Sequence, residues 1–225
     1  MIFEAVLFDL DDTLHDRSKT LSKFIDIFIK KYAYTMDYAS ISRIKDIICE
    51  IDFHGYKPRE EMFNELQNRV SWKIKPDISD LLSFWNSEFP KCAEPAKNLY
   101  SVLEYILSIN IKMGIVTNGY SEIQNIKIDK LDLRKYMETI IISEEVGVRK
   151  PDSEIFDIAL SRINSTKEKT LFIGDNPAND IKGAIDAGLM TVWLSYGKMW
   201  SEENYTPKYI VKEIHEIIEL FGGCT

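Results

Sequence analysis

Asp9 and Asp11 stand two residues apart, directly after a short run from Phe3 to Phe8 that is apolar except at Glu4. At the end of a strand, residues two apart can point their side chains the same way. Two close carboxylates repel each other and stay ionised together only beside a cation. Asp175, in Gly174-Asp175-Asn176-Pro177-Ala178-Asn179-Asp180, follows another apolar run and supplies a third acid. Hard oxygen ligands in this number suit Mg²⁺, which keeps waters and leaves room for a substrate phosphate. Lys150 adds a fixed positive charge, and Thr117 with the main-chain amides near Asn118 and Gly119 can hold phosphate oxygens. The set suits phosphoryl transfer through an aspartyl-phosphate, with one carboxylate as nucleophile and a second as acid, then base. Metal and lysine would offset the charge of the anion under attack. Each feature alone has a plainer reading, as a helix cap, a turn or a surface lysine. Their occurrence together, with the acids and Thr117 at the ends of apolar runs, favours chemistry.

The elements that must position these residues are readable from periodicity. Phe3 to Phe8 predicts a buried strand. Residues of about 17 to 90 predict only helices, the first carrying Leu21, Phe24, Ile25, Phe28, Ile29 and Tyr32 on one stripe. After Pro95 the texture changes. A helix over Ala96 to Ser108 leads to a strand over Ile111 to Val116, and later strands are expected at Thr139–Ile142, Thr170–Ile173 and Met190–Leu194. Helices separate them, including one over Asp180 to Ala187, and Tyr209–Val211 adds a short edge strand. Alternating strands and helices predict an α/β fold with a parallel sheet covered on both faces. In such sheets ligands bind outside the carboxyl ends of the strands, where the candidate residues fall.

Phe8-Asp9-Leu10-Asp11-Asp12-Thr13-Leu14 resembles motif I (DxDxT) of the haloacid dehalogenase-like hydrolase superfamily. Thr117-Asn118-Gly119 resembles motif II, Lys150 in Gly147-Val148-Arg149-Lys150-Pro151-Asp152 motif III, and Gly174 to Asp180 motif IV, all in family order. The resemblance implies a Rossmann-like three-layer α/β core over residues 1–15 and 91–225 and an inserted all-helical C1-type cap over residues 16–90. The stretch between Gly119 and Asp152 is short for a second cap. The resemblance makes Asp9 the nucleophile and a Mg²⁺ ligand. It makes Asp11 the acid and base, with its main-chain carbonyl on the metal. Thr117 and Asn118 then bind phosphate, Lys150 neutralises the aspartyl-phosphate, Asp175 binds Mg²⁺, and Asp180 orients Lys150 or a metal water. Asp11 also discriminates within the family, since dehalogenases carry no acid there. Ile142 to Asp152 is similar to the nucleotidase and N-acylneuraminate-phosphatase branches. His15 and the cap-loop residues His54, Tyr56 and Lys57 are candidates for specificity, beside the plainer readings of solvated linker and interhelical turn.

The chain has 225 residues and a formal net charge of −8, which disfavours nucleic-acid polymers and anionic membranes as partners. Lys127, Lys130, Arg134 and Lys135 read as a solvated helix face. Cys49, Cys92 and Cys224 form neither a disulfide framework nor a zinc spacing, and suit a reduced, cytoplasmic protein. The N-terminus does not read as a signal peptide. The expected function is Mg²⁺-dependent hydrolysis of a small phosphorylated metabolite, of the nucleotide or sugar phosphate class. The rivals are a haloacid dehalogenase and a phosphate-binding regulatory protein without turnover.

Overall fold

The computed structural model describes residues 3–55 and 57–223, with only the main chain of His54. The chain divides into two compact units, one of Met1–Asp16 with Pro95–Thr225 and the other of Arg17–Glu94. In chain order, β1 (Ala5–Phe8) is followed by the helices α1 (Arg17–Tyr32), α2 (Tyr38–Asp52), α3 (Arg59–Arg69) and α4 (Ile78–Glu88). Next come α5 (Leu99–Ser108), β2 (Lys112–Thr117), α6 (Ser121–Lys130), β3 (Thr139–Ile142), α7 (Ser143–Val146) and α8 (Ser153–Ile163). β4 (Thr170–Gly174), α9 (Gly183–Asp186), β5 (Met190–Leu194) and β6 (Tyr209–Val211) complete the strands, before a 3₁₀ segment over Ile214–Phe221.

The six strands form one parallel sheet in the order β3-β2-β1-β4-β5-β6. Every residue of β1 is fully buried, as a central strand covered on both faces must be, and this is why its sequence runs apolar instead of alternating. Ile155, Phe156, Ala159, Leu160 and Ile163 of α8 pack with Leu7, Val116, Ile141 and Phe172 of the sheet. Gly114 is required in β2, because a Cβ there would lie 2.6 Å from Thr139 and 2.9 Å from Leu7.

The helical unit has its own core. Phe24 of α1 packs edge-on against Trp85 at 4.7 Å, and Trp85 stacks on Phe89 at 4.2 Å. Burying a side chain such as Phe24 fully stabilises by about 1.5–3 kcal/mol. Asp37 starts α2 by accepting a hydrogen bond from the Ser40 amide at 2.7 Å. Asp52, at the end of α2, accepts from Arg17 and Arg59, each at 2.6 Å.

Strands β3, β5 and β6 occupy the spans expected for them. Two helix starts differ. α5 begins at Leu99 rather than Ala96, because Asn98 has a left-handed φ of 61° that breaks the helix before it. The helix expected from Asp180 begins at Pro177, as a π-helical turn over Pro177–Lys182 that continues into α9. Asn176 caps it by accepting from the Asn179 amide at 2.8 Å, and Pro177 suits its first position.

Candidate active site

The strand order reverses between β1 and β4, so a crevice is expected outside their carboxyl ends. Phe8 pairs with Ile173, and the Asp9 amide donates to the Ile173 carbonyl at 2.9 Å. Asp9 and Asp175 therefore leave neighbouring strand ends together. Oxygens of Asp9, Asp175 and Asp180 lie within 4.8 Å of one another. Lys150 Nζ donates to Asp9 Oδ1 at 2.5 Å and to Asp180 Oδ1 at 2.6 Å, with all three side chains buried. Asp180 Oδ2 accepts from the Asn176 amide at 3.0 Å. Both Asp180 oxygens are thus engaged in fixing the lysine and the turn. Gly174 makes this approach possible, since a Cβ there would meet Asp180 at 2.5 Å.

The electrostatics follow from crowding acids out of water. Burial pushes the Asp9 carboxyl up to about 7, with Lys150 pulling it down and Asp180 and Asp11 adding to the rise. Burial also pushes Asp175 well above the usual carboxylate range, helped by Asp180, Asp9 and Asp12. Burial disfavours the charged Lys150, but Asp180 and Asp9 outweigh it and hold the lysine above its ordinary range. Three carboxylates against one ammonium leave a formal charge of minus two at this cluster. The Asp175 carboxylate accepts no hydrogen bond from the described residues. An all-oxygen donor set with this charge fits a hard divalent cation such as Mg²⁺.

Asp11 lies in a second network beside the first. His15 Nδ1 is 2.7 Å from Asp11 Oδ1, and Lys127 Nζ donates to both Asp11 oxygens at 2.7 and 2.8 Å. Gln124 Nε2 donates to Asp11 Oδ2 at 3.1 Å and to Thr117 Oγ1 at 2.6 Å. Burial acts to raise the Asp11 carboxyl, but Lys127 and His15 hold it well below its ordinary range. Lys127 is only 4% exposed, so it does not belong to a solvated basic face with Lys130, Arg134 and Lys135. His15 is completely buried against Asp11 and does not line an open entrance.

Thr117 is buried at the end of β2 and accepts from Gln124, which leaves its hydroxyl hydrogen to donate. The Asn118 side chain is spent elsewhere. Its Nδ2 donates to the Lys150 carbonyl at 2.9 Å, and its Oδ1 accepts from the Lys150 amide at 2.9 Å. Asn118 therefore ties the loop after β2 to the segment that carries Lys150. The Gly119 amide donates to Ser143 Oγ at 3.0 Å. Tyr196, after β5, was not anticipated from the sequence: its hydroxyl donates to the Asp12 carbonyl at 2.8 Å. Burial, then Asp12 and Asp175, push that phenol up. Trp193 Nε1 donates to the Asp175 carbonyl at 2.7 Å and fixes the main chain of that acid. Of the cap-loop candidates, Lys57 pairs with Glu65 in the helical unit, whereas Tyr56 and the His54 side chain lie outside the described residues.

A parallel α/β sheet that gathers buried acids and a lysine at the ends of its central strands defines a class of strand-end hydrolases. The family model described as haloacid dehalogenase-like hydrolase matches residues 6–194, and the chain belongs to that family. Pyrimidine 5'-nucleotidase YjjG of Escherichia coli (strain K12) is 41% identical over 112 residues, which span 49% of this chain and 50% of that protein. Glyceraldehyde 3-phosphate phosphatase of Methanocaldococcus jannaschii is 26% identical over 229 residues, covering 97% of each chain. Among solved structures, the putative HAD-hydrolase YfnB from Bacillus subtilis, bound to magnesium, aligns with a TM-score of 0.79 at 23% identity. That alignment covers 99% of this chain and 100% of the other, and shows the shared fold. No helix among the described residues is long and apolar enough to cross a membrane.

Proposed function

We propose that the chain is a cytoplasmic, Mg²⁺-dependent phosphatase of small phosphate monoesters, with Asp9 as nucleophile and Asp11 as general acid and base. The observation that carries this reading is the buried Asp9–Lys150–Asp180 contact beside Asp175, at the ends of adjacent strands. Asp9 Oδ2 accepts no hydrogen bond from the described residues and is the oxygen available to attack phosphorus. As the Asp9 Oδ2–phosphorus bond forms, the bond from phosphorus to the leaving oxygen breaks, and that oxygen takes a proton that Asp11, ionised at rest, relays from the monoanion of the ester. Water then attacks phosphorus and gives a proton to Asp11. The acyl-phosphate bond breaks, and inorganic phosphate leaves with the Asp9 carboxylate restored. Lys150 neutralises the aspartyl-phosphate, and the Thr117 hydroxyl with the main chain at Asn118 donates to phosphate oxygens. Asp9, Asp175 and the Asp11 main-chain carbonyl would hold Mg²⁺, which supplies positive charge against the phosphoryl oxygens. Asp180 acts by orienting Lys150. The inserted helical unit serves as the cap, with His54, Tyr56 and Lys57 as candidates for substrate choice.

The named relatives support nucleotides and phosphorylated sugars or trioses as the first substrates to try. A panel of such monoesters, with and without Mg²⁺, tests the reading on the wild type and on Asp9→Asn. Phosphate release that needs Mg²⁺ and disappears in Asp9→Asn is the expected result. Release of halide from a 2-haloacid, with no phosphate from any monoester, would identify a dehalogenase instead. Tight phosphate binding without turnover would identify a regulatory binding protein.

A further inference from the structure

The core unit holds a buried ammonium for which the mechanism above has no use. Lys127 stands on α6, one turn after Gln124, so the two side chains share a helix face. Its three donors are fully spent, on Asp11 Oδ1 at 2.7 Å, Asp11 Oδ2 at 2.8 Å and Gln124 Oε1 at 2.9 Å. Gln124 in turn donates to Asp11 and to Thr117, joining the carboxylate that moves protons to the hydroxyl that meets phosphate. His15 Nδ1 closes the remaining side of Asp11. A carboxylate gripped at both oxygens by a fully saturated ammonium has one orientation. Without that grip Asp11, whose side chain is 31% exposed, has room to turn into water.

We propose that Lys127 is a positioning residue for Asp11, holding its carboxylate beside the Thr117 hydroxyl through the shared Gln124. The assignment rests on the phosphatase reading. It places Lys127 outside contact with substrate: the lysine acts through Asp11, and Gln124 sets the lysine. A small misplacement of a proton-transferring group can cost up to about a hundredfold in rate. The cost falls on substrates whose leaving oxygen needs the proton most.

The test compares kcat/KM for two esters with Mg²⁺ present, p-nitrophenyl phosphate and an alkyl phosphate such as glycerol phosphate. The nitrophenolate departs with little help from a proton, whereas the alkoxide depends on it. In Lys127→Met the ratio of nitrophenyl to alkyl activity is expected to rise about tenfold or more over wild type, chiefly through kcat. In Lys127→Arg, which keeps the charge but not the donor geometry, the ratio is expected to lie between those of wild type and Lys127→Met. An equal fall for both esters, or an unmoved ratio, would overturn the assignment, because a merely structural lysine has no reason to distinguish leaving groups. If Lys127→Met does not fold, Gln124→Met carries the test. It removes the 2.9 Å contact to Lys127, the 3.1 Å contact to Asp11 and the 2.6 Å contact to Thr117 and leaves the lysine; the loss at Thr117 falls on both esters alike, and the ratio is expected to move the same way. A ratio left at the wild-type value there would equally overturn the assignment. Wild-type protein that releases phosphate from neither ester would overturn the phosphatase reading itself; a working wild type with unmoved variant ratios overturns only the role of Lys127.

Discussion

Lys150 shows how much a single side chain depends on its neighbours. An unpaired ammonium buried to this depth would lose its charge, and it is Asp9 and Asp180 that keep it protonated. Asp180→Asn keeps the shape but removes one of the two charges that hold the lysine. Phosphate turnover by this variant is expected to fall about 10–100-fold, the range seen when a partner that orients a functional group is lost. Steady-state phosphate release, with circular dichroism to confirm folding, checks it. Asp9 and Asp175 of this first cluster were legible in the sequence because each closely follows an apolar run, whereas Lys150 and Asp180 were legible through the motifs that hold them. Lys127 was not legible, and His15 was singled out for specificity rather than for its contact with Asp11. Lys127 lies in a basic stretch that reads as solvated, and its partner Asp11 is 116 residues away in the chain. Only the register of β1 beside β2 brings them together.

At the scale of elements, the turn from β4 into the helix that follows decides the geometry. Gly174 ends the strand without a Cβ, Asn176 caps, and the π-helical turn carries Asp180 back toward Lys150. An alanine at 174 would have to displace Asp180, whose atoms lie 2.5–2.6 Å from the added carbon. Gly174→Ala is therefore expected to lower turnover about as far as Asp180→Asn. The double variant is expected to lose little more than either single one, since both remove the same contact. A multiplicative loss in that double-mutant cycle would refute the link. Sequence patterning found this helix but started it at Asp180, because the cap and proline that begin it carry no apolar periodicity. The same limit hid Tyr196, which reaches Asp12 from a loop where no repeat marks which side chains turn inward.

At the scale of the molecule, the chain builds a separate helical unit inside an α/β one. The alternation of elements and the long all-helical stretch were legible. The exact joints were set by local contacts instead: the divisions fall at Asp16/Arg17 and at Glu94/Pro95. Within the helical unit Asp52 ties the start of α1 and the start of α3 to the end of α2 through Arg17 and Arg59. Asp52→Ala leaves two arginines facing each other without an acid. It is expected to destabilise the unit by about 3 kcal/mol, read as a lower urea midpoint.

The central position of β1 has a consequence for how the chain acquires its structure. Ala5 pairs with Lys112 on one side and Thr170 on the other, so the middle of the sheet waits for segments made much later. Closing such long loops is entropically costly and slows folding. The intervening helices make mostly local contacts and can form before either partner strand. Once formed, they hold their own ends close, with the Glu94 amide on Thr20 Oγ1 at 3.0 Å. The Ala96 amide then lies ready for the Leu14 carbonyl, 2.9 Å away in the native protein. The insertion is therefore expected to act as a folding clasp that turns a distant strand pairing into a nearby one. Refolding should be ordered in time, with the emission of Trp85 settling before that of Trp193.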